Sequence, residues 1–116
     1  MAIPSGSGTE VLKRFYKNSL TNSDIALIDG VAHHIYTVLS VSFSERNNAT
    51  ALINMFTVID GGSTDIHLLT QKSISGFGNY VFNDKFVITG TDELKVSLQA
   101  SGAVDVLISY IDQDWS

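Results

Sequence analysis

Glu93-Leu-Lys-Val-Ser-Leu-Gln-Ala100 sets Leu94, Val96, Leu98 and Ala100 in strict alternation with Glu93, Lys95, Ser97 and Gln99. A period of two sends successive side chains to opposite faces of an extended chain, so this stretch reads as a β-strand with one face packed and the other wet. Ser101-Gly102-Ala103 then turns the chain into a second apolar run, Val104 to Ile111. On the other side, Thr89-Gly-Thr-Asp92 closes a run from Tyr80 to Ile88. Glycine beside short polar residues is turn chemistry, and its recurrence between β-branched runs is the signature of an all-β chain.

The pattern continues towards the N-terminus. Ser75-Gly-Phe-Gly78 precedes the Tyr80 run, and Ile66 to Thr70 is reached through Asp60-Gly-Gly-Ser-Thr64, where two glycines supply positive φ at no steric cost. In Ala49 to Ile59 both alternating sets carry apolar groups, as a central strand requires. His34 to Phe43 places Ile35, Thr37, Leu39, Val41 and Phe43 on one side, and Ile25 to Ile28 ends at Asp29-Gly30. Seven or eight strands with turns every eight to twelve residues predict a two-layer antiparallel β-sandwich, jelly-roll-like, rather than a small closed barrel. No internal repeat of twenty residues or more suggests a solenoid or propeller.

The first residues differ in kind. Ser5-Gly-Ser-Gly-Thr9 is linker chemistry, and Asn18, Ser19, Thr21, Asn22, Ser23 and Asp24 form a polar cluster. Between them Val11, Leu12, Phe15 and Tyr16 share a helical face yet also suit extended chain, so helix and strand both stay open for 10–17. The expected organisation is an N-terminal arm, residues 1–24, followed by a sandwich domain, residues 25–116.

A chain of 116 residues with 44% hydrophobic content supports one core without covalent staples, and it has no cysteine. The N-terminus lacks the pattern of a secretory signal, and no apolar run reaches the roughly 18 residues of a membrane span. The chain is expected to be made in the cytoplasm and to bind no membrane. Its net charge of −5 is uneven: residues 1–23 carry +2, through Lys13, Arg14 and Lys17 against Glu10, and the rest carries −7. An acidic body repels phosphate backbones, which argues against nucleic acid; the basic stretch suits an acidic protein surface.

Candidate chemistry is sparse. His33 and His34 are adjacent, so on a strand they point apart and cannot share an ion unless that stretch is a turn. Asp65 and His67 lie on one side of a strand, with no serine or cysteine placed as nucleophile. Asp60-Gly-Gly-Ser-Thr-Asp65 offers carboxylates but lacks the alternating ligands and closing glutamate of a calcium loop, and Asp112-Gln-Asp114 could likewise hold a divalent ion but reads as solvated acidic residues. Ser5-Gly-Ser-Gly-Thr9 lacks the strand before and the Gly-Lys-Ser/Thr after that a phosphate loop needs. No catalytic residue, cofactor or metal is expected. Residues expected at a protein interface are Val11, Leu12, Lys13, Arg14, Phe15, Tyr16 and Lys17, with Trp115, whose large indole docks on its own domain or on a neighbour.

Four segments carry a family resemblance: His34-Ile-Tyr-Thr-Val38, Tyr80-Val-Phe-Asn-Asp-Lys-Phe-Val-Ile88, Gly90-Thr-Asp-Glu-Leu-Lys-Val-Ser-Leu98 and Val104-Asp-Val-Leu-Ile-Ser-Tyr110. In this order, across residues 34 to 111, the chain resembles the small β-sandwich structural proteins of tailed bacteriophage virions, of the capsid decoration or cement type. The resemblance implies a non-enzymatic virion protein. Its partners would be the major capsid protein or other virion proteins, and it would form a homo-oligomer, in many such proteins a trimer. Similar sandwiches serve in necks, tails and fibres, which is the alternative role. A host-glycan-binding module, stacking sugars on Phe15, Tyr16, Tyr80, Phe82 or Trp115, is a further one.

Overall fold

The computed structural model describes residues 9–100 and 102–115; the expected linker at 5–8 and Ser101 of the expected turn lie outside them. Nine strands form: β1 (Thr9–Lys17), β2 (Ile25–Asp29), β3 (His34–Glu45), β4 (Ala51–Ile59), β5 (Thr64–Ile74), β6 (Asn79–Phe82), β7 (Phe86–Thr89), β8 (Glu93–Leu98) and β9 (Val104–Asp114). The first sheet runs β1-β9-β3-β6, with β7 also paired to β3, and the second runs β2-β8-β4-β5. Every pairing is antiparallel. With β6 and β7 counted as one interrupted strand, this is the eight-strand, two-sheet wrapping of a jelly roll.

The alternating patterns deliver the core. Val38, Val41 and Phe43 of β3 with Val104, Val106 and Ile108 of β9 face Ile53 and Met55 of β4 and Leu94, Val96 and Leu98 of β8, all at most 2% exposed. Two sheet faces interdigitating in this way form one dry layer. The expected turn at Asp60 is a single 3-10 turn, Asp60–Gly62, with φ of 68° at Gly61 and 97° at Gly62.

Three departures from strict alternation matter. Leu39 is the extra residue of a β-bulge between Val38 and Ser40, so Ile35 and Thr37 lie on the outer face while Val41 and Phe43 lie in the core, not on one side as expected. The Tyr80 to Ile88 run breaks at 83–85, opposite that bulge, into β6 and β7. In the polar connection 18–24, Leu20 is 1% exposed and plugs the end of the sandwich, its N–H donating to the Val104 carbonyl at 2.8 Å while the Thr21 carbonyl accepts from Leu98 N–H at 2.8 Å.

Glu45 closes the same end. At 5% exposed, its Oε1 accepts backbone N–H groups from Asn47 at 2.9 Å, Ala49 at 3.2 Å and Phe77 at 3.1 Å, tying two loops together. Burial pushes its carboxyl up, but the donated N–H groups outweigh that and hold it below the usual carboxylate range.

Candidate interaction surface

Residues 9–17 are extended. β1 pairs along its whole length with β9, from Thr9 opposite Asp114 to Lys17 opposite Val106, and it is the outermost strand of its sheet. All nine residues are exposed, Leu12 at 72% and Tyr16 at 65%. One long backbone edge is therefore presented to a neighbouring chain, in a segment whose side chains are both apolar and basic.

The register sorts these side chains. Val11, Lys13 and Phe15 lie opposite Asp112, Tyr110 and Ile108 and point to the inner side of the sheet; Glu10, Leu12, Arg14 and Tyr16 point outward. On the inner side, the open margin of the sandwich between β1 and β2 leaves a cleft of about 350 Å³, lined by Phe15, Leu27, Val31, Tyr36 and Tyr110 beside a charged cluster. Asp112, 6% exposed, sits at the centre of that cluster. Its Oδ2 accepts from Lys13 Nζ at 2.8 Å and its Oδ1 from His34 Nδ1 at 2.7 Å, while His34 Nε2 lies 3.7 Å from Asp114 Oδ1.

Burial alone would raise the Asp112 carboxyl; the hydrogen bonds and charges of Lys13 and His34 outweigh it and hold the group below its ordinary value. The hydrogen bond to Asp112 likewise raises the Lys13 ammonium, against the opposing effect of burial. The His34 ring stacks on Tyr36, centroids 5.7 Å apart, and the buried Tyr36 hydroxyl accepts the Val31 N–H at 3.0 Å. Burial pushes the Tyr36 phenol up. Each Asp112 oxygen already has a donor, so the arrangement works as a clamp joining β1, β9 and β3. Among the described residues no group of three or more His, Cys, Asp or Glu is arranged to hold a metal ion.

The clamp was out of reach of sequence reasoning. Its partners are 99 and 78 residues apart, and local spacing carries no signal for such pairs. The reading of the two histidines assumed a strand; His33 instead adopts φ of 69° in the turn before β3, and only His34 enters the cluster. His67, expected beside Asp65, packs against the Phe56 ring with centroids 5.2 Å apart. Trp115 is half-buried, and its backbone N–H donates to the His33 carbonyl at 2.9 Å, which pins the end of β9 to the β2–β3 turn.

The outer face of the first sheet is ordered in rows. Leu12, Ile111, Thr37 and Val87 lie side by side across β1, β9, β3 and β7; Tyr16, Leu107, Ser42 and Val81 do so across β1, β9, β3 and β6. Between these two rows run Arg14, Ser109 and Ser40. The Arg14 guanidinium stands 5.9 Å from the centroid of the Tyr16 ring, and Glu10 accepts from Gln113 Nε2 at 2.8 Å. Val81 and Val87 are 48% and 54% exposed and Leu107 is 38% exposed. The described residues contain no helix long and apolar enough to cross a membrane.

No protein-family model matches the chain, and no curated protein matches it in sequence. Solved structures match in fold. A chain of the disulfide-linked pili that form Bacillus endospore appendages is similar over 100% of this chain and 97% of its own length, with a TM-score of 0.55 and 14% identity. A chain from the acid-stable capsid of Helicobacter pylori bacteriophage KHP30 is similar over 98% of this chain and 92% of its own, with a TM-score of 0.55 and 10% identity. For a chain of infectious bursal disease virus, Gx strain, the values are 97% and 34%, with a TM-score of 0.56 and 9% identity, so this chain spans about a third of that one. At such identities the likeness is one of fold.

Proposed function

We propose that this chain is a non-enzymatic structural protein of a phage virion, a capsid decoration or cement protein that binds capsid subunits through residues 1–24 and the edges of its sandwich. The observation that carries the reading is β1: an outer strand whose nine residues are all exposed, with basic and apolar side chains, attached to a body of opposite charge. Such a strand offers backbone donors and acceptors along its edge, with Arg14 and Lys17 to attract an acidic partner. Val11 to Lys17, with Trp115 at the neighbouring chain end, are the contact residues we assign. Modest contacts repeated by symmetry sum to firm attachment. The likeness in fold to a capsid chain of similar length supports this role.

A second reading places the chain in a neck, tail or fibre, and the equally full-length likeness to a pilus chain favours it. Copy number separates the two. Quantitative mass spectrometry of purified virions from the source is expected to count this chain at a ratio near that of the major capsid protein. A few copies per particle would move it to the neck, tail or fibre, and its absence from virions would refute both readings.

A further inference from the structure

We propose that Phe77 is a second anchor for the capsid partner, a rigidly held aromatic side chain that enters an apolar pocket on that protein. The inference rests on the virion reading above and adds a contact that β1 does not make. Two independent observations meet at this residue. The first is its backbone. Among the described residues six non-glycine residues have positive φ; Ser19, His33, Asn48, Asp60 and Gln71 are polar, and the sixth is Phe77 at 57°. Ser75–Gly78 is a β-turn in which the Gly78 N–H donates to the Ser75 carbonyl at 2.8 Å. Phe77 is the third residue of that turn, where positive φ calls for glycine or asparagine, and a bulky side chain there is strained. The surroundings impose the strain. The Phe77 N–H donates to the buried Glu45 carboxylate at 3.1 Å, the Glu45 N–H donates to the Gly78 carbonyl at 2.9 Å, and a side chain at Gly76 would collide with the Asn48 backbone.

The second observation is exposure. Phe77 is 69% exposed, so the strained residue gives the core nothing in return. Strain that the surrounding structure maintains without a packing benefit points to a contact outside the chain. The chemistry around the ring fits a protein. Residues 47–50 and 75–79 carry no charge, and Arg46 beside them is paired with Asp105 at 2.9 Å. An aromatic ring within an uncharged polar rim has the make-up of an interface hot spot, in which the ring is desolvated in a pocket and the rim excludes water. A body of charge −7 opposes nucleic acid and anionic membranes. The ring also stands at the same end of the first sheet as the close of β1. Asn79, Ser44 and Asp105 lie side by side across β6, β3 and β9, and Lys17 pairs with Val106, next to Asp105. Three strand spacings, roughly 14 Å, separate the two anchors, so one partner surface can reach both.

Co-sedimentation of the purified chain with virions produced without it tests the anchor. The wild-type chain is expected to bind. Phe77→Gly and Phe77→Asn should each weaken binding at least about tenfold, as loss of a hot-spot aromatic does, yet raise the melting temperature by about 2–5 °C, because both residues accept positive φ. Phe77→Tyr keeps the ring and should bind as the wild type does. Opposite signs on binding and stability separate an anchor from a residue that merely holds the loop. Binding retained by Phe77→Gly overturns the inference and leaves the capsid reading standing, and so does a Phe77→Gly chain that melts no higher than the wild type. A wild-type chain that fails to bind the particles sinks the capsid reading, and this inference with it. A dimer of the free chain, or attachment to zwitterionic phospholipid vesicles, that is lost with Phe77→Gly would give the ring a different occupant and overturn the inference as well.

Discussion

The outer faces of the two sheets are built on opposite plans. On the second sheet, Asp29, Glu93, Val58 and Asp65 form one row, and Ala26, Lys95, Phe56 and His67 form the next. The large apolar groups are roofed by polar neighbours: Phe56 and Val58 are each only 7% exposed although they point away from the core. On the first sheet Leu12, Tyr16, Val81 and Val87 have no such roof. An apolar residue on an outer face is thus no sign of an interface by itself. What distinguishes the first sheet is that its own side chains leave its apolar rows uncovered.

That contrast can be broken by substitution. The largest effect is expected for Phe56→Ala, which empties a roofed site. It should lower stability by about 2–4 kcal/mol, read as a shift of the urea midpoint at unchanged slope. Next comes Asp112→Asn, which keeps the shape but removes the charge that holds Lys13 and His34. Because Lys13 is 46% exposed, solvent screening limits the loss to about 1–2 kcal/mol. The smallest effect is expected for Leu12→Ala and Tyr16→Ala, each within about 0.5 kcal/mol in dilute protein. A large loss at Leu12 or a negligible one at Phe56 would erase the difference between the faces.

Acid sharpens the comparison. The folded Asp112 carboxyl titrates below its unfolded value of about 3.9, so its contribution is present above that pH and is lost as the pH falls through the lower folded value. Lys13 is raised, so its contribution is present below about 10.4 and lost as the pH climbs through the higher folded value. Hydrogen exchange is expected to show β1 loosening from β9 at the acid end before the core strands open. Asp112→Asn should remove that acid step, and the second sheet should show no counterpart.

Much of the fold was legible because it rests on local period. The alternation in β8, the apolar run of β9 and the double-sided pattern of β4 all became strands near the expected places. What was not legible depends on non-local geometry. The β3 bulge moves Ile35 and Thr37 out of the core, and nothing in the run from His34 to Phe43 marks Leu39 as the extra residue. Leu20 is buried by strands that come later in the chain, although it stands among polar neighbours. Residues 10–17 fit both periods, and β9, about a hundred residues away, decides for the strand. Composition singled out residues 11–17 as an expected contact segment, but only register separates Lys13, turned inward to Asp112, from Arg14, turned out.

The single tryptophan of the chain has a use beyond packing. Trp115 is hydrogen-bonded through its backbone to His33, the residue beside the His34 that contacts Asp112. An indole held half-buried there is a built-in fluorophore at the end of the molecule where β1 begins, since Thr9 pairs with Asp114. The emission of the unlabelled protein therefore watches one corner of the sandwich, and loosening of that corner can be followed optically apart from unfolding of the whole.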